Sequence, residues 1–123
     1  MSKMNPEIKQ KWLMALRSGE YKQSRGELNR MDPAGIFDGY CCLGVLCDLH
    51  AKETGHKWDI DGCYYSNAGL PPKEVVDWAE IPTINQIATV RGIDVRAGLV
   101  SLAGQNDIGL PFAEIATLIE QQL

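Results

Sequence analysis

At 123 residues, with 45% hydrophobic and 23% charged side chains and a net charge of -4, the chain is expected to form one domain over 1–123. Such a domain buries about two thirds of its unfolded surface, so neither a metal nor a disulfide is needed for folding. No apolar run approaches the roughly 20 residues that cross a bilayer, which argues against a helical membrane protein. The charge is uneven: residues 1–30 hold Lys3, Lys9, Lys11, Arg17, Lys22, Arg25 and Arg30 against Glu7, Glu20 and Glu27. This basic quarter is a candidate surface for an anionic partner, and the acidic remainder would repel a nucleic-acid backbone.

The N-terminus has neither an apolar signal core nor a small-residue cleavage site, so a cytoplasmic location is expected. Asn5 as N-cap, Pro6 in the first turn and Glu7 beside the dipole open a helix with Ile8, Trp12, Leu13 and Leu16 on one face and Gly19 at its end. A short strand is expected near 21–28, followed by a turn at Asp32-Pro33-Ala34-Gly35. The nearly unbroken apolar run Tyr40-Cys41-Cys42-Leu43-Gly44-Val45-Leu46-Cys47-Asp48-Leu49 predicts a central helix over about 42–54, buried on most sides and capped by Gly55. Trp58, Tyr64 and Tyr65, set among Asp59, Asp61 and Gly62, predict a loop or hairpin whose aromatics pack back on the core.

Gly69-Leu70-Pro71-Pro72 then starts a helix through Val75, Val76 and Trp78, stopped by Pro82. Around Arg91-Gly92 the sequence suggests a short β-ribbon. A short helix over about 97–103, a turn at 104–109 and a terminal helix complete the chain. Phe112, Ile115, Ala116, Ile119 and Leu123 follow the i, i+3, i+4, i+7, i+11 spacing of a core-facing stripe. The fold class is therefore α+β and mostly helical: a small single domain with a buried central helix and a short β-ribbon or hairpin.

Three kinds of chemistry are open to these residues. Cys41 or Cys42 at a helix start could be a nucleophile, because the helix dipole favours a thiolate there. The stretch from Gly39 to Val45 is similar to the cysteine helix of the NlpC/P60 peptidases. Those enzymes need a histidine well downstream, however, and His50 and His56 lie on or just after the same helix. The cysteines at 41, 42, 47 and 63 read as free thiols in a reducing compartment. A zinc site from Cys42, Cys47, His50 and Cys63 lacks the paired Cys-x-x-Cys knuckles of specific zinc signals, so neither a metal nor a cofactor is expected.

DNA binding through 99–119 is opposed by charge, since no Lys or Arg follows Arg96. The third reading is a site for a small anionic ligand. It comprises Arg17, Arg25 and Arg30 for charge, Gln23 for its amide, and Tyr21 and Tyr40 as aromatic walls, with the central helix N-terminus nearby.

Four motifs carry a family resemblance: Trp12-Leu13-x-Ala15-Leu16-Arg17-Ser18-Gly19-x-Tyr21-x-Gln23, the run from Tyr40 to Leu49, Leu70-Pro71-x-x-Val75-x-x-Trp78, and Asn106-Asp107-x-Gly109-x-x-Phe112-x-Glu114-Ile115-Ala116-x-x-Ile119-Glu120. Together they resemble a family of small uncharacterised proteins of tailed bacteriophages and prophages. The chain departs from that pattern at Gln105 and Pro111, and 82–98 has no counterpart in it. The resemblance implies a phage setting, hence the host cytoplasm, and no mechanism.

A non-structural phage protein of this size is expected to work by binding. The expected partner is an anionic ligand such as a signalling nucleotide, or alternatively a host protein inhibited directly. A cysteine-dependent hydrolase is the remaining alternative. DNA and membrane are not expected partners, and a homo-oligomer is compatible with the sequence.

Overall fold

Asn5 caps the first helix, α1 (Pro6–Ser18), by accepting hydrogen bonds from the amides of Glu7 and Ile8 at 2.9 and 3.2 Å. The computed structural model describes residues 4–31, 33–34, 37–81, 89–90, 93–94 and 106–122. Gly19, in the left-handed conformation, ends the helix, and Ile8, Trp12, Leu13 and Leu16 are buried on its inner face. That face lies mainly on the terminal helix α4 (Phe112–Gln122) and next on the central helix α2 (Cys42–Thr54). Asn5 also reaches the far end of α3 (Lys73–Ala79), donating its amide to the Ala79 carbonyl at 2.8 Å.

The apolar run makes α2 the hub of the core. Cys42 through Asp48 and His50 are all buried, and Gly55 supplies the left-handed C-cap. Trp12 donates its indole N–H to the Cys42 carbonyl at 2.9 Å, so α1 is pinned to α2 by a buried polar contact as well as by packing. Gly44 lies directly beneath the backbone of Leu28, and a Cβ there would collide with the Leu28 carbonyl. Only a glycine lets the two main chains approach so closely.

β1 (Asn29–Met31) and β2 (Phe37–Tyr40) form an antiparallel pair with a bulge between Arg30 and Met31. The strand expected near 21–28 is displaced to 29–31. The amides of the earlier segment do not share one ladder. Ser24 donates to the Tyr40 carbonyl, Gly26 to the Asp107 carboxylate and Leu28 to the Ala68 carbonyl, at 2.7, 2.7 and 2.6 Å. A segment whose alternate N–H groups serve three different partners is ordered without being a strand. Only Gln23 bridges to Tyr40, in parallel.

The aromatic loop after α2 packs inward as expected, with Tyr64 completely buried. It turns at Tyr65 and Ser66, both at positive φ, between the bridged residues Tyr64 and Asn67. A second antiparallel ribbon pairs β3 (Thr89–Val90) with β4 (Ile93–Asp94), where the sequence placed one. The expected stop at Pro82 and the expected helix over 97–103 lie outside the described residues. Of the terminal stripe, Phe112, Ile115, Ala116 and Ile119 are buried. The architecture is thus a small, mostly helical α+β domain in which α2 packs against α1 and α3, α4 packs on α1, and the ribbon β1–β2 lies at the α2 N-terminus.

Candidate functional site

Asp48 and Lys52, one helical turn apart on α2, emerge beside the segment that follows α1. Together with Glu20, Tyr21 and Lys22 of that segment, and Phe37 and Tyr40 of β2, they line a cleft of about 450 Å³. That volume lies within the range of small-molecule sites.

Asp48 organises the floor. The residue is buried, and its carboxylate accepts from the Tyr21 hydroxyl at 2.6 Å and from the Trp58 indole N–H at 3.1 Å. The Lys52 ammonium is 3.3 Å from the same carboxylate, donates to the Tyr21 hydroxyl at 3.1 Å and stands 5.2 Å from the centre of the Tyr21 ring. The Tyr40 ring packs on Tyr21, Phe37 and Trp58 at centroid distances of 5.4, 5.1 and 5.7 Å.

Burial first, and then the Asp48 charge, push the Tyr40 phenol up to about 12. Burial and the bond to Asp48 raise Tyr21 as well. Lys52 is raised by its hydrogen bond to Tyr21, with Asp48 contributing. The phenols therefore keep their protons at neutral pH and Lys52 keeps its charge. The cluster offers hydrogen bonds, ring faces and positive charge rather than an activated base or nucleophile.

Among the six sequence-predicted site residues, only Tyr21 and Tyr40 line this cleft. Gln23 donates its amide to Asn106 Oδ1 and to the Leu110 carbonyl at 2.9 and 2.8 Å, holding two chain segments together. Arg17 pairs with Glu120 at 3.3 Å across α1 and α4. Arg30 lies 3.8 Å from Asp38, which also pairs with Lys22 at 3.4 Å. The Arg25 guanidinium packs beside Gly109. The basic quarter is thus largely consumed by local acidic partners, and its arginines do not converge.

The α2 N-terminus is also spoken for. The Cys42 amide donates to Asn106 Oδ1 at 3.2 Å and the Gly44 amide to Cys41 Sγ at 3.4 Å. Burial pushes the Cys41 and Cys42 thiols up, which outweighs the helix-end effect that favours a thiolate. His50, the nearer histidine in sequence, is paired with the Tyr64 hydroxyl at 2.6 Å. None of the four cysteines forms a disulfide.

Sequence reasoning missed Asp48, Lys52, Phe37 and Glu20. A signal existed for the first two, namely a lone carboxylate inside an apolar helix followed one turn later by a lysine.

Among the described residues, no group of three or more His, Cys, Asp or Glu side chains is placed to hold a metal ion, and no helix is long and apolar enough to cross a membrane. No curated protein and no solved structure matches the chain. A family model described as "Domain of unknown function (DUF8296)" matches residues 4–123, and the chain belongs to that family.

Proposed function

We propose that this chain is a phage-encoded accessory protein that binds a ring-bearing anion, such as a signalling nucleotide of a host defence, in the cleft between the segment at 20–22, β2 and α2. The observation that supports this reading is the convergence of aromatic rings and ammonium groups on one cleft of about 450 Å³. At Asp48, hydrogen-bond bookkeeping leaves little for a cation to take. Both Asp48 oxygens already accept, from Tyr21 and Lys52 on one side and Trp58 on the other. Lys22 engages one carboxylate, and Lys52 makes two contacts. An ammonium has three protons to give, so both lysines of the lining keep unspent donors. Their stems carry those donors on side chains that are 67% and 69% exposed.

Thermal-shift measurements with cyclic mono- and dinucleotides, together with the 260 nm absorbance of the purified protein, test the reading. A ligand that raises the melting temperature of the wild-type protein is expected to bind Tyr40→Ala and Lys52→Ala about tenfold more weakly, the scale of one charge-assisted or stacking contact. Arg17→Ala, on the α1–α4 face, should bind as wild type. A protein that neither carries nor responds to any nucleotide, yet captures a defined host protein with the Tyr40 face, would replace this reading with direct inhibition.

A further inference from the structure

The cleft has rings to offer but no slot. Tyr40 meets Tyr21 at 69°, Phe37 at 59° and Trp58 at 46°, so its neighbours present edges and tilted faces rather than a parallel pair between which a base could be inserted. A ligand ring can therefore lie against one aromatic face only. Phe37, 45% exposed at the mouth, is the most open of these rings. The polar atoms held in fixed positions are turned inward, since the Asp48 carboxylate, the Tyr21 hydroxyl and the Trp58 N–H bond to one another, whereas Glu20, Lys22 and Lys52 reach the cleft on exposed side chains that set no fixed pattern against a base edge. Stacking alone accepts every base, because each has a π-face.

The charges at the cleft point the same way. Lys22 and Lys52 are opposed by Glu20 and Asp48 in the same lining, so among the described residues the cleft has no excess of positive charge to reward a polyphosphate. Among the described residues, no arginine lines the cleft to clasp one in bidentate fashion, and the ammoniums act as point charges.

Resting on the nucleotide reading above, we infer that the cleft takes a nucleoside monophosphate, recognised by one ring face and one anionic group without selection of the base or preference for a longer phosphate chain. Calorimetry with AMP, GMP, CMP and UMP is expected to give dissociation constants within about threefold of each other. Ribose 5-phosphate, which lacks the ring, and adenosine, which lacks the anion, should each bind at least tenfold more weakly than AMP, and ATP no more tightly than AMP. Phe37→Ala, a change at an exposed position, should weaken all four monophosphates by the same factor, about tenfold.

One base favoured tenfold over the rest, ribose 5-phosphate equal to AMP, or ATP tenfold tighter than AMP would each overturn the inference. Binding of a cyclic dinucleotide without binding of any monophosphate would overturn it while leaving the broader nucleotide reading intact. Binding of none of these compounds would remove both.

Discussion

Gly44 shows how strictly a single position is set. The Leu28 carbonyl occupies the space where its side chain would begin, and that oxygen belongs to backbone that cannot rotate away. Gly44→Ala should therefore cost about 3 kcal/mol, the upper end of the overpacking range, because either α2 or the segment at 28 must shift. Urea denaturation would measure the loss, and a variant within about 0.5 kcal/mol of wild type would show that the two main chains are freer to separate than they look. Gly39 makes a related approach, at φ 142, where a Cβ would lie 2.7 Å from the Lys22 carbonyl. These two glycines let the segment at 22–28 lie flat on α2 and β2, which places Tyr21 over Asp48. The geometry of the cleft is thus traceable to residues that have no side chain.

Between elements, one amide does most of the joining. Asn106 is completely buried; its Oδ1 accepts from Gln23 and from the first amide of α2, and its Nδ2 donates to the Ser24 carbonyl at 2.7 Å. Asn106→Ala would strand two buried partners, the Cys42 amide and the Ser24 carbonyl, and take one bond from the half-buried Gln23 amide, and is expected to cost about 3 kcal/mol by denaturant titration. Asn106→Asp should be little better, since it removes the donor to Ser24 and buries a charge. By contrast, the exposed Arg17–Glu120 pair on the same α1–α4 frame belongs to a class that contributes at most about 1 kcal/mol.

The contrast explains what was legible in the sequence. Caps, helical stripes and the buried run are local patterns, so α1, α2, α3 and α4 could be read from Asn5, Gly19, Gly55, Pro72 and the spacing of Phe112 to Ile119. Gln23, Arg25 and Arg30 were grouped by charge and polarity, but their roles depend on partners such as Asn106, Gly109 and Asp38, whose proximity no local pattern records. Asp48 was hidden for the opposite reason, because it sits inside the most apolar segment of the chain.

At the scale of the whole molecule, acid stability should depend on His50. Its ring is 4% exposed, paired with Tyr64 and packed edge-on against Trp78 at 5.0 Å. Burial lowers its pKa, with His56 adding to the effect and the Glu53 and Glu74 carboxylates partly opposing it. The folded state then binds this proton less readily than the unfolded chain, whose histidine titrates near about 6.5. Stability from this group is complete above that value and is lost as pH falls through the depressed folded pKa. The melting temperature should hold between about pH 7 and 8 and begin to drop below about 6.5, before the carboxylates titrate, and His50→Gln should flatten that first drop. Equal slopes in the two proteins would assign it elsewhere.

The bond from Gln23 to Asn106 spans 83 residues and the ion pair from Arg17 to Glu120 spans 103. On a ribosome, the packing of α1 on α4 and the joint at Asn106 must therefore wait for nearly all of the remaining chain, whereas the Trp12–Cys42 and Tyr21–Asp48 bonds span only 30 and 27 residues. Nascent chains that stop short of residue 106 are consequently expected to gather the cleft lining, which lies wholly between residues 20 and 52, without the Asn106 joint that fixes the adjoining Gln23 and Ser24.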